Sequence, residues 1–125
     1  MLFLRKQEVL QIHATLIALF GGADGINDVG ALDSALVAAE NRGHYEQADL
    51  ATCAATYAYH LTQAHAFLDG NKRIGAAAAE IFLGINGARL SATNEELARL
   101  FLGIADGRIS REEVVRRFQE WVEAG

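Results

Sequence analysis

The 125-residue sequence has no proline, a single cysteine and no surplus of basic residues: 11 Lys and Arg stand against 16 Asp and Glu, a formal net charge of −5 with a pI near 5.3. A lone cysteine forms no internal disulfide, so folding is not expected to depend on an oxidising compartment. The acidic balance excludes the uniformly basic surface that nonspecific phosphate-backbone contact requires, and no nucleic-acid partner is expected. The longest mostly apolar stretch, residues 74–85, is interrupted by Glu80 and falls short of the roughly 20 residues that cross a bilayer. No membrane passage is expected. The first residues lack the basic region, apolar block and small-residue cleavage site of a signal peptide, which makes a cytoplasmic location the expectation. No GxxxxGK[S/T]-type or GxGxxG element occurs, so a P-loop and a dinucleotide fold are both set aside.

What is present is apolar content at helical spacing. Hydrophobic residues make up 51% of the chain. With no proline-rich or serine-rich linker, and enough length to bury roughly two-thirds of the unfolded surface, residues 1–125 read as a single domain. Val9, Ile12, Leu16, Leu19 and Phe20 mark one face of a first helix, which stops at Gly21 and Gly22. A loop punctuated by Gly21, Gly22, Gly25 and Gly30 follows, then a short helix over about 31–39 and an exposed polar connection over 41–47. Asp49 caps a longer helix running to about residue 65. Another begins near Asn71 and reaches about Asn86, where Gly87 supplies a left-handed stop. Its run Ala76, Ala77, Ala78 and Ala79 suits a helix enclosed on every side, and places it at the centre of the fold. Thr93 with Glu96, and Ser110 with Glu113, have the spacing of capping boxes and open two last helices. The fold class is all-α, a compact bundle of about six helices.

One segment resists a purely structural account: His65, Ala66, Phe67, Leu68, Asp69, Gly70, Asn71, Lys72 and Arg73. It is polar, yet joins two helices that should be enclosed, an expensive place for unused charge. Its chemistry suits an anion. Gly70 allows close backbone approach, the N–H groups of the helix starting near Asn71 are free donors, and Lys72 and Arg73 add charge. A carboxylate at Asp69 can hold Mg²⁺ against phosphate oxygens, and a histidine beside such a cradle can take a proton from an attacking hydroxyl.

These residues resemble a known motif. His65, Phe67, Asp69, Gly70, Asn71, Lys72 and Arg73 match the pattern His-x-Phe-x-Asp/Asn-Ala/Gly-Asn-Lys-Arg of the Doc toxins, a branch of the Fic superfamily. The stretch from Phe20, Gly21 and Gly22 through Gly25, Ile26, Asp28 and Gly30 to Leu32, Ser34, Ala35 and Leu36 is similar to a second segment common in Doc-like chains. The resemblance implies a Fic/Doc fold and an ATP-dependent, Mg²⁺-assisted enzyme that modifies a hydroxyl of a target protein. It makes His65 the catalytic base, Asp69 the metal carboxylate, and Gly70, Asn71, Lys72 and Arg73 the phosphate-binding set. Phe67 becomes the structural anchor of the motif.

Within the superfamily, AMP-transferring Fic enzymes have glycine where this chain has Lys72. The Doc branch holds its nucleotide reversed and acts as a toxin kinase on a threonine of elongation factor Tu, arresting translation. Its partner is an antitoxin with a helix-forming tail. An AMP-transferring enzyme and an inactive Fic-fold binding module are the alternatives. Fic folds place a target-docking flap where residues 42–46 lie, which makes His44 and Tyr45 candidate contacts. Ala66 stands where the motif often has proline, and Ile74 and Gly75 where it usually has Thr and Ala; Gly75 is expected to loosen its helix by about 1 kcal/mol relative to alanine. Glu40 and Asn41 match the end of the family's inhibitory-helix pattern, but Leu36 occupies its Ser/Thr position, so that match is read as chance. Cys53 reads as a small buried hydrophobe, His60 as a packed or surface residue, and His13 and His44 as outside any zinc site.

Overall fold

The computed structural model describes residues 1–125 and contains six helices: α1 (Lys6–Phe20), α2 (Val29–Tyr45), α3 (Leu50–Gln63), α4 (Asn71–Ile85), α5 (Asn94–Ala105) and α6 (Arg111–Trp121). The all-α expectation holds for the body of the fold. Two three-residue strands add to it, β1 (Ala88–Leu90) and β2 (Val122–Ala124), paired antiparallel with Arg89 opposite Glu123. No helix is long and apolar enough to cross a membrane.

Helix starts follow the cap chemistry. Asp28, Asp49, Thr93 and Ser110 each accept a hydrogen bond from a backbone N–H three residues on, at the heads of α2, α3, α5 and α6. Thr93 and Glu96 form the full reciprocal box. Ser110 forms half of one: the Glu113 carboxylate turns instead to Arg116 and Arg117. Two helices begin without such a cap: α1, on Arg5, and α4, on Gly70 in a left-handed conformation.

The central helix is α3, not α4 as the alanine run suggests. Residues 51–58 are buried without a break, and α3 packs against α2, α4, α5 and α6. Helix α4 buries Ile74, Gly75, Ala78, Ala79, Phe82 and Leu83 but leaves Glu80, Ile81, Gly84 and Ile85 exposed. The physical reason is that α3 carries small or hydroxylated side chains around its whole circumference, whereas α4 has one charged and open face. Tyr57, fully buried on α3, accepts a hydrogen bond from the Leu4 N–H at 3.0 Å, and burial pushes its phenol up to about 12.

Helix α2 runs to Tyr45, through most of the stretch expected to be an exposed connection. Gly43 lies within the extension, and a Cβ there would overlap the Phe3 ring, so glycine lets that aromatic close on the helix. Gly75 likewise departs from expectation. A Cβ at residue 75 would meet Thr62 Oγ1 at 2.2 Å and the Ala58 carbonyl at 3.0 Å, so glycine tightens the α3–α4 crossing rather than loosening it.

Candidate active site

The segment from His65 to Arg73 forms the corner between α3 and α4. His65 terminates α3 with φ +49°, the left-handed region that non-glycine residues seldom occupy and that concentrates at functional sites. Ala66 and Phe67 then turn inward and are buried, while His65, Leu68 and Asp69 stay exposed. Gly70, at φ +78°, reverses the chain into α4.

The corner is braced by the glycine-rich loop between α1 and α2. Ile26 bridges Phe67 in antiparallel fashion, the Asn27 and Asp28 N–H groups donate to the Ala66 carbonyl at 2.7 and 3.0 Å, and Leu68 N–H donates to the Gly25 carbonyl at 3.1 Å. Asn27 Nδ2 adds a hydrogen bond to the His65 carbonyl at 3.2 Å. The contact is close: a Cβ on Gly22 would sit 2.6 Å from Asp69 Oδ2 and one on Gly25 would sit 3.1 Å from Leu68. The two separate sequence stretches thus make one scaffold.

Thr62, His65, Leu68, Asp69, Gly70, Asn71, Lys72, Arg73 and Ala105 line a cavity of about 390 Å³. The uncapped start of α4 opens here, so its unpaired N–H groups and the positive end of its dipole favour an anion. Lys72 is exposed on the wall. Arg73 donates to the Gly21 carbonyl at 3.1 Å and lies 5.3 Å from the Phe20 ring centroid, which fixes its guanidinium beside α1 with further N–H donors to spare. Asn71 directs its carboxamide to the Phe67 backbone, leaving its own N–H among the uncapped donors of α4. Asp69 Oδ1 accepts from Gly70 N–H at 2.8 Å and Oδ2 from Ala23 N–H at 3.4 Å.

No group of three or more His, Cys, Asp or Glu side chains converges anywhere in the chain. A cavity with one carboxylate fits Mg²⁺ delivered with phosphates, whose other ligands come from substrate and water, and does not fit an all-protein cation cage. An opening of about 430 Å³ between α1 and the end of α4 is slightly larger, but its charged residues, Arg5 and Glu8, bond to one another at the head of α1. It holds no convergent chemistry.

Cys53 and His60 lie as their sequence surroundings suggest, and His13 does not. Cys53 is buried, and desolvation pushes its thiol up to about 11, far from a reactive thiolate. His60 lies half-buried, 3.5 Å from Arg111. His13 is part of the corner. It is 2% exposed, its ring stacks on Phe67 with centroids 3.7 Å apart and planes 12° apart, and Nε2 lies 2.8 Å from the Asp69 carbonyl oxygen. The signal in the sequence is its position four residues after Val9, which puts a polar side chain on the buried stripe of α1.

The Fic/DOC family model matches residues 3–83, a span that contains α1, the glycine loop, α3, the corner and most of α4. The chain belongs to the Fic/DOC family. This Fic/DOC protein is also 34% identical over 105 residues to the protein kinase doc of Escherichia phage P1, an alignment covering 83% of this chain and 82% of that one. With Lys72 and Arg73 closing the motif, it falls in the Doc branch.

Proposed function

We propose that this protein is a toxin kinase of the Doc type, transferring the γ-phosphate of ATP to a threonine hydroxyl of a translation factor, elongation factor Tu, and so arresting translation in the cytoplasm. The observation that carries the reading is Lys72, exposed on the cavity wall where AMP-transferring relatives have glycine, in a chain similar along most of its length to a protein kinase. In this reading residues 1–125 act as one domain, and an antitoxin with a helix-forming tail restrains the enzyme.

The chain's residues divide the work. The N–H groups at the start of α4, with Lys72 and Arg73, hold the phosphate oxygens; because the backbone donors are fixed by the fold, they need no reorganisation as charge develops. Bound Mg²⁺ would neutralise part of the charge on those oxygens. Asp69 is the residue that would hold it. His65, exposed at the cavity mouth, takes the proton of the acceptor hydroxyl as that oxygen bonds to the γ-phosphorus and ADP leaves. Phe67 anchors the corner from the core.

The test is transfer of label. Incubation with elongation factor Tu and γ-labelled ATP gives labelled factor, and His65→Ala abolishes it. Label from α-labelled ATP alone would replace kinase activity by AMP transfer. Growth arrest that persists undiminished in His65→Ala would leave a binding module.

A further inference from the structure

We infer that His13 is a positioning residue for the phosphate cradle, setting the direction of the Asp69–Gly70 peptide from inside the core. The inference rests on the phosphate-binding reading of the corner, not on the identity of the acceptor protein.

A carbonyl oxygen only accepts, so the 2.8 Å contact from Nε2 to the Asp69 oxygen requires a proton on Nε2. The imidazole is therefore the donor, held as the Nε2–H form. A trans peptide is planar, with its C=O and N–H pointing to opposite sides. Drawing the Asp69 carbonyl inward to His13 consequently turns the Gly70 N–H outward, and there the exposed Asp69 carboxylate accepts it at 2.8 Å. That N–H is thereby spent on holding the Asp69 carboxylate at the cavity wall. The same peptide leads directly into α4, so its direction also sets how the free amides of residues 71–73 face the cavity.

Two contacts keep the imidazole in place. Phe67 stacks flat against it, and Gly70 lies next to it, where a Cβ would be in ordinary van der Waals contact with Nε2 at 3.5 Å. His13 comes from α1, 56 residues before Asp69, so the peptide direction is imposed by tertiary packing and not by the corner's own sequence. A purely space-filling ring would serve the stack equally well. The hydrogen bond is what distinguishes orientation from packing.

The decisive variant is His13→Phe, which keeps a stacking ring and removes the donor; His13→Gln restores an N–H near the Nε2 position. Tripolyphosphate is the probe, titrated by calorimetry, with γ-phosphate transfer measured separately. We expect His13→Phe to remain folded by circular dichroism, to bind tripolyphosphate about tenfold more weakly, and to lose transfer in proportion, with His13→Gln recovering most of the affinity. Nitrogen-15 spectra of the wild-type chain should show His13 with its proton on Nε2, a readout that stands even where a variant fails to fold. Binding by His13→Phe within twofold of wild type, or a proton on Nδ1 alone, overturns the proposal. Failure of the wild-type chain to bind tripolyphosphate overturns it together with the phosphate-site reading, whereas tripolyphosphate binding without transfer removes only the kinase assignment.

Discussion

The Asn71 carboxamide holds the backbone of Phe67 at both ends, accepting from its N–H at 3.2 Å and donating to its carbonyl at 3.0 Å. This two-point lock closes residues 67–71 into a fixed turn at the head of α4. Its consequence is that Phe67, packed against His13, transmits the position of the core directly to the first amides of the helix.

Removing the lock tests that coupling. Asn71→Ala leaves two partly buried backbone groups without their partner, at about 1–3 kcal/mol for an unsatisfied group, so urea unfolding should show a loss in that range. Phosphate transfer falls in the same variant under conditions where it is still folded.

His65 separates strain from chemistry. Glycine at a left-handed position relieves a cost of roughly 1–2 kcal/mol but adds unfolded-state entropy of similar size. His65→Gly should therefore melt within a few degrees of wild type, while His65→Val, β-branched at φ +49°, melts clearly lower. Both should be inactive. Equal melting temperatures for the two variants would mean that residue 65 does not hold this conformation in solution.

The α3–α4 crossing gives a double-mutant test. Gly75→Ala gains about 1 kcal/mol of helix propensity, yet it forces a methyl against Thr62 Oγ1 and the Ala58 carbonyl, and overpacking of this kind costs roughly 1–3 kcal/mol. Net destabilisation is expected. The Thr62 hydroxyl is buried without a hydrogen-bond partner, so Thr62→Ala vacates the contact at little loss. Gly75→Ala with Thr62→Ala should be more stable than the sum of the single effects, as measured by denaturant midpoints.

His60 sets a pH response. Burial first, then the charges of Arg111 and Arg42, hold its imidazole below the ordinary value of 6.5. Around and below that value the unfolded chain takes up a proton that the folded chain resists, so stability falls as pH drops past 6.5 through the lowered folded value, and the slope from His60 fades only well above 6.5. His60→Gln should flatten this part of the profile. Melting curves of both chains between about pH 7 and pH 5 report the difference.

Much of the site was legible along the chain because its chemistry is local. His65, Asp69, Gly70, Asn71, Lys72 and Arg73 sit within one turn and the first residues of a helix, and their types alone describe an anion cradle. The caps Asp49, Thr93 and Ser110 were equally readable, since a cap bonds to a backbone group three residues away. What escaped was held by distant partners. The strands at 88–90 and 122–124 are too short to show a period and exist only through each other. The closeness of Phe3 to α2 depends on Gly43, and the role of Gly75 on Thr62 from the neighbouring helix.

Helical periodicity, cap spacing and the composition of a nine-residue corner were set by the order of amino acids, because each involves groups within a few bonds or one helical turn. Which helix lies innermost, and the partnership of His13 with Phe67 and Asp69, were decided only when α1 came to rest beside that corner. Packing determines the direction of a peptide group, and packing joins residues that the covalent chain keeps far apart.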